Sequence, residues 1–433
     1  PASVVVHFEG VSNGTDTSTG QKQYQVINQK KFYEKWKDVL EQEHFPNAQN
    51  VFQARDRSRN KKVLLMVDHY VPQFDKDAGS RTVYQYIRLF ASQGFQVKFI
   101  GDNFCPHQPY SQVLQQMGFE VLYGPYYASH WKDWLKENGA CIQYAFLNRP
   151  HISVKYIDLV RQYTPARIIY YGHDLHFLRE RREYELTGQK DLLKSSEDWK
   201  KKELELMRKA DWAYYPSCVE EEEIHKIAPD VHVKAIPAYL FTDVEDRPFL
   251  AEERKDLMFI GGFSHRPNVD AVKWFAAEIM PHLRKLLPDV VVHILGSNPP
   301  EDVKALADEQ LKIAGFVTDE LLEEYYSRCR LDIVPLRYGA GIKGKVVEAM
   351  RYGMPVVTTQ IGAEGIAQAD EILSVADDAE EFAKRVAALY QNPEELDARS
   401  AASRQYIREH FSPENAVRVI GSEFDMGPER STR

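Results

Sequence analysis

From Lys61 onward, short apolar runs alternate with helical stretches, and this alternation restricts the chain more than any other feature. Val63 to Val67 is continuously apolar, as expected of a parallel strand covered on both faces. A helix is predicted over Gly79 to Gln93, with Val83, Tyr86, Ile87 and Phe90 on its apolar face. Further strands are expected at Val97–Ile100, Val121–Tyr123, Cys141–Phe146, Ile168–Tyr171, Trp212–Tyr215 and Val233–Ile236. A charged break, Thr242 to Lys255, precedes a second series at Leu257–Ile260, Val290–Leu295, Ile313–Ala314, Leu331–Val334, Val356–Thr359 and Ile372–Val375. Helices between these are predicted at about 268–287, 319–328, 344–352 and 379–391, and a last one begins at Ser412-Pro413. Such alternation gives parallel, doubly wound sheets, so the fold class is α/β with two Rossmann-like domains. Ligand crevices then lie at the carboxyl ends of the strands, and two domains facing across a cleft could hold one ligand from both sides.

Residues 1–60 read differently. Val4-Val5-Val6 suggests a short strand, Gly10 to Gly20 a polar loop, and Phe32, Trp36, Val39 and Leu40 one face of an amphipathic helix. The run from Pro46 to Asn60 reads as a linker. The expected division is therefore a tail and linker at 1–60, domains at 61–245 and 256–410, and a terminal helix and tail at 411–433.

The net charge of -9 argues against nucleic acid as the main partner. Cys105, Cys141, Cys218 and Cys329 are scattered, which fits small buried residues in a reducing compartment. No run reaches the length of a membrane span and no signal peptide opens the chain, so a cytoplasmic location is expected. A peripheral contact with the inner face of a membrane stays open. His265 and the pair His7/Glu9 lack a further ligand at helical spacing, and no metal is expected in the main site.

The most informative stretch is Pro335-Leu336-Arg337-Tyr338-Gly339-Ala340-Gly341-Ile342-Lys343-Gly344-Lys345-Val346-Val347-Glu348-Ala349-Met350. It leaves an apolar strand and enters a helix. Glycines let the backbone approach a ligand, and the helix start offers free N–H groups to a phosphate. Lys343 and Lys345 add charge beside it, and Glu348 could accept hydrogen bonds from ribose hydroxyls. Asp77-Ala78-Gly79-Ser80-Arg81 opens the first helix in a similar way. His173 and Asp174 follow a strand, with Asp174 placed to orient the histidine ring. The charged run Arg179 to Glu183 reads better as a solvated helix face than as a site.

The stretch 335–350, followed by Gly353-Met354-Pro355-Val356-Val357-Thr358-Thr359 and Gly362-Ala363-Glu364-Gly365, resembles the nucleotide-sugar site of the family 4 glycosyltransferases, whose fold is GT-B. Phe259 to Asn268 is similar to the first strand and glycine loop of that family's C-terminal domain. The resemblance covers about residues 61 to 425, and it implies that the domain at 61–245 takes the acceptor, that the domain at 256–410 takes the nucleotide sugar, and that the terminal helix in 411–433 crosses back to the first domain. It implies transfer, with retention, from a nucleoside-diphosphate sugar such as a UDP-, dTDP- or GDP-sugar to a saccharide or lipid-linked saccharide, with no other cofactor. It implies His173, Lys343 and Glu348 as catalytic residues. It implies Gly79, Arg81, Gly262, Arg266, Gly341, Lys345, Glu364 and Gly365 as donor contacts. The family often carries two glutamates eight positions apart. Here Glu348 matches the second and Ala340 stands at the first, so Glu364 is the candidate replacement. Gly262 and Asn268 stand near the family's usual phosphate-binding Arg and Lys, leaving that duty to Arg266, Lys343 and Lys345. Val6 to Ser12 and Gly20 to Trp36 are similar to the C-terminal end of family 2 (GT-A) glycosyltransferases. That implies fusion to an upstream transferase and a setting in bacterial surface-polysaccharide assembly. A sugar-nucleotide epimerase and a non-catalytic binding module remain the alternatives.

Overall fold

The computed structural model describes residues 16–18, 20–46 and 49–426. The expected strand at Val4–Val6, the His7/Glu9 pair and most of the Gly10–Gly20 loop lie outside the described residues. By compactness the chain divides between Ile169 and Tyr170.

The first unit is built on five strands: β1 (Val63–Asp68), β2 (Gln96–Gly101), β3 (Glu120–Leu122), β4 (Tyr144–Asn148) and the start of β5 (Arg167–Tyr171). Their order is β3-β2-β1-β4-β5, and β1 pairs in parallel with both β2 and β4. β1, β2 and β4 are buried along their whole length, as the continuous apolar runs require. The helix Ala78–Ser92 follows β1, and the Asp77 side chain caps it by accepting from the Ser80 N–H at 2.7 Å. β4 begins later than the sequence suggests, because Gly139–Cys141 forms a 3₁₀ turn. Its later end at Asn148 puts Arg149 directly at the strand's carboxyl end.

The segment 49–60 is tied to this unit rather than loose. Ser58 is fully buried, Phe52 packs edge-on to Trp134, and Arg55 reaches Glu120 at 2.7 Å. The helix Gln23–Glu43 forms as its periodicity predicts, yet none of its residues is buried, and Phe32 and Trp36 remain 56% and 43% exposed.

The second unit opens with the end of β5, then β6 (Trp212–Tyr215) and β7 (Val233–Ala235), ordered β5-β6-β7. It continues into a six-stranded parallel sheet of β8 (Leu257–Ile260), β9 (Val292–Leu295), β10 (Leu311–Gly315), β11 (Leu331–Val334), β12 (Val356–Thr358) and β13 (Ser374–Val375). The order is β10-β9-β8-β11-β12-β13. The strand order reverses between β8 and β11, so the crevice of this sheet opens at their carboxyl ends. The helix expected over 268–287 runs from Arg266 to Leu286, with a π-helical turn at Phe275–Ile279. Pro281 lacks the N–H that an α-helical bond to Ala277 needs, and the turn widens just ahead of it.

Candidate functional site

At the crevice between β8 and β11, the loop after β11 winds through Gly339 and Gly341 at φ 146° and 71° and enters the helix Gly344–Arg351. A side chain at Gly344 would overlap the Tyr239 hydroxyl, so this helix start is closely packed against the chain leaving β7. Lys343 stands at the N-cap position. Its ammonium contacts the Gly341 carbonyl and lies 3.4 Å from Glu364 Oε2. Burial pushes the Lys343 pKa below its ordinary value, while Glu364 and Glu220 act to restore it.

Glu364 is the hub of the site. It is buried, and its Oε2 accepts from Arg182 Nη1 at 2.8 Å as well as facing Lys343. Its other oxygen, Oε1, is buried with no hydrogen-bond partner among the described residues. A carboxylate with one oxygen between two cations and the other unengaged is poised to accept a hydroxyl from a ligand. Gly365 follows at φ 84°, where any side chain would press on Ser217 and Ile342.

The helix His176–Thr187 corrects the sequence reading of its charged run. Glu183 is buried, meets Arg266 Nη2 at 2.6 Å and faces the Tyr338 hydroxyl at 3.4 Å. Arg182 donates to the Gly339 carbonyl at 2.6 Å in addition to Glu364. Arg179 pairs with Asp174, so the Asp174 carboxylate is engaged by Arg179. Burial pushes Asp174 up, but Arg179 and then His176 outweigh it and hold its pKa below the usual range. Only Arg181, paired with Glu185 at the surface, behaves as the solvated residue expected. His173 follows β5 with φ 67°, its ring tilted against Tyr171 at 4.3 Å.

Glu220 was not anticipated from the sequence. It is fully buried, accepts from the Leu175 N–H at 3.0 Å, and lies against Gly341, where a Cβ would approach Oε1 to 3.3 Å. Burial, followed by Asp174 and Glu364, holds its pKa well above the usual carboxylate range. The Ser217 hydroxyl is 3.2 Å from Glu220 Oε2. This carboxyl therefore links the turn after His173 to the glycine loop of the β8–β11 crevice.

Lys345 lies behind the loop after β8. Its ammonium donates to Asn268 Oδ1 at 2.6 Å and sits 4.1 Å from the centre of the Phe259 ring. Asn268 in turn donates to the Gly262 carbonyl at 2.7 Å. Asp332 on β11 is fully buried, and neither of its carboxylate oxygens has a hydrogen-bond partner among the described residues. Burial lowers the Lys345 pKa to about 7, with Asp332 opposing, and raises that of Asp332 well above the carboxylate range. Glu348 is half-buried in the helix Gly344–Arg351. Gly79 and Arg81 belong to the first unit, where Arg81 Nε donates to the Phe74 carbonyl at 3.3 Å. Among the described residues no group of three or more His, Cys, Asp or Glu is arranged to hold a metal ion. No described helix is long and apolar enough to cross a membrane.

Comparison with solved structures places this architecture. A sucrose-phosphate synthase from Thermosynechococcus elongatus superposes with a TM-score of 0.67 at 16% identity, covering 84% of this chain and 98% of that one. The fold is GT-B. Anabaena HepE, solved in complex with UDP-glucose, shares this GT-B fold with a TM-score of 0.61 at 12% identity over 84% and 99% of the two chains. Residues 254–392, which carry the β8–β11 crevice, match the family model described as Glycosyl transferases group 1. A Klebsiella pneumoniae protein described as an uncharacterized 44.6 kDa protein in the cps region is 27% identical over 176 residues. That match spans 39% of this chain and 45% of the Klebsiella protein, less than half of either.

Proposed function

We propose that the chain transfers a sugar from a nucleoside-diphosphate sugar to a saccharide or lipid-linked saccharide, with retention and without a bound metal. The observation that carries this reading is the convergence of Lys343 and Arg182 on Glu364, beside the glycine loop that opens the helix Gly344–Arg351. A leaving diphosphate needs cations and helix N–H groups fixed in advance, and a donor sugar needs a carboxylate for its hydroxyls. Lys343, Arg182 and the start of that helix supply the first, with Arg266 close by on Glu183. Glu364 Oε1 supplies the second, in place of the carboxylate that Ala340 does not provide. Glu348 holds the ribose, and Gly262, Gly341 and Gly365 allow close approach of the nucleotide. His173 faces the transferred sugar. The oxygen of the acceptor hydroxyl bonds to the anomeric carbon as the carbon–oxygen bond to the diphosphate breaks. Attack comes from the leaving-group side, and the released diphosphate takes the hydroxyl proton. No separate protein base is required.

The group 1 match over 254–392, HepE with its bound UDP-glucose, and the cps-region relative support this reading and a role in surface-polysaccharide assembly. The test is thermal stabilisation of the chain by a panel of UDP-, dTDP- and GDP-sugars, followed by product analysis. One class should stabilise the wild type and undergo slow hydrolysis, and Glu348→Ala should weaken its binding. An isomerised donor would make the chain an epimerase. No stabilisation by any donor would make it a non-catalytic module.

A further inference from the structure

Four glutamates in a row, Glu220 to Glu223, start the helix Cys218–Ile227, and of these Glu220 alone is buried. Its carboxyl is wedged among three segments. Oε1 accepts from the Leu175 N–H at 3.0 Å, which fixes the turn that carries His173 at φ 67°. Both oxygens lie against Gly341, where a Cβ would sit 3.3 Å from Oε1 and 3.5 Å from Oε2. The Ser217 hydroxyl stands 3.2 Å from Oε2, and a Cβ on Gly365 would press to 2.7 Å on Ser217 Cβ. The turn after β5, the loop after β11 and the segment after β12 thus all meet at Ser217 and Glu220.

The charges on those segments decide the state of this carboxyl. Asp174 acts on it from the turn after β5, Glu364 from the segment after β12 and Lys343 from the glycine loop, while Tyr215 on β6 is a neutral phenol. On its own helix Glu221 turns away to accept from the Ala235 N–H at 2.7 Å. Burial and the two like charges outweigh Lys343 and keep the Glu220 carboxyl protonated. The acid then has one oxygen to accept from Leu175 and an O–H to donate to Ser217 Oγ. Arg179 pairs with Asp174, and Arg182 and Lys343 share Glu364. The bonded group therefore holds three cations and, besides Glu220, two carboxylates. His176 with Glu203 and Arg266 with Glu183 form pairs that leave this count unchanged. A proton on Glu220 leaves one positive charge over for an anion, and an ionised Glu220 would cancel it.

We propose that Glu220 is a positioning residue that works as a neutral acid, tying the His173 turn to the glycine loop and leaving Lys343 available to the diphosphate. The diphosphate rests on the transferase reading, whereas the neutral acid does not. The first experiment is infrared difference spectroscopy of the full chain, wild type minus Glu220→Gln, at neutral pH. The carbonyl stretch of a protonated carboxyl should be present in the wild type and missing from the variant. Loss of a carboxylate band in its place overturns the proposal. Thermal melts give a second reading without any ligand. A carboxyl that keeps its proton only in the folded state costs stability as pH rises above about 4.3, its unfolded value, and glutamine has no such cost. The Tm advantage of Glu220→Gln should therefore grow between about pH 5 and pH 8, and a constant difference overturns the neutral acid. Because the amide reproduces each contact of that acid, failure of Glu220→Gln to fold also overturns it. Titration with UDP, dTDP and GDP tests the role in the site. Glu220→Gln should bind the preferred diphosphate within about twofold of the wild type, whereas tighter binding by about tenfold would mean that the native residue is ionised. Glu220→Met, neutral but without the hydrogen bonds, should bind it at least fivefold more weakly, and unchanged affinity overturns the positioning role. If the wild type binds none of the three, the transferase reading fails and the role toward the diphosphate falls with it, while the infrared band still decides the neutral acid.

Discussion

Glu364→Gln separates the two tasks assigned to the hub of the donor crevice. Glu364 Oε2 lies 2.8 Å from Arg182 Nη1 and 3.4 Å from Lys343 Nζ. At an effective dielectric of 20 these contacts are each worth about 5–6 kcal/mol before desolvation, and solvent reaching Arg182 reduces the first. A diphosphate must replace that attraction to use the same cations. Glutamine keeps the shape and removes the competing charge. Binding of the bare nucleoside diphosphate should therefore tighten, by about 1.4 kcal/mol or tenfold if a quarter of one contact is recovered. The intact donor loses something in exchange, because hydrogen bonds from its hydroxyls to a charged oxygen are worth about 1.5–3 kcal/mol. The preference for the sugar-bearing donor over the bare diphosphate should fall by about 10- to 150-fold. Isothermal titration of both ligands into both proteins measures this ratio directly. An unchanged ratio would refute a sugar contact by Glu364. A matched loss of both affinities would show that its carboxylate only props Lys343 and Arg182 in place.

Two further outcomes follow from the same crevice. Lys345, with its pKa lowered to about 7, is charged below that pH, and a bound diphosphate favours the charged form. Donor affinity should be full below about pH 7 and decline as pH rises above it, with proton uptake on binding, and Lys345→Met should flatten the profile measured with a sugar-bearing donor. At Gly296, φ is 149° and a Cβ would overlap the Gly261 carbonyl, so Gly296→Ala should push the loop after β8 out of place. It should cost about 1–3 kcal/mol of stability and a larger share of donor affinity, and urea unfolding beside titration would expose a harmless substitution.

The sheets were legible because parallel strands buried on both faces leave unbroken apolar runs, as at Val63–Asp68 and Leu331–Val334. The glycine loop and Lys343 stood out in the sequence for a local reason, since a buried strand turning into a helix leaves N–H groups free to meet a phosphate, whereas Glu364 was singled out only through the family resemblance. Arg182, Glu183 and Glu220 were not. Their partners at 266, 338–341 and 364 are far away in sequence, and charged residues in a helix ordinarily face water. One signal was present for Glu220. Ser217 and Glu220 have the spacing of a capping box, which sets the first glutamate of the run 220–223 apart from the others. In the structure the Glu220 carboxyl turns to the Leu175 N–H instead. The π-helical turn at Phe275–Ile279 was likewise hidden, since a proline after an apolar stretch marks an irregular helix without fixing its form.

The self-pairing of the donor crevice also governs which ligands it ignores. Lys343 and Arg182 rest on Glu364, and Arg266 rests on Glu183, so each of these cations already has a carboxylate partner. A simple anion such as phosphate could take the cations only by stranding two carboxylates without partners. A sugar nucleotide brings negative charge for the cations and hydroxyls for the carboxylates in a single molecule. On the proposed reading, a crevice neutralised from within should discriminate against simple anions and favour a ligand carrying both kinds of group.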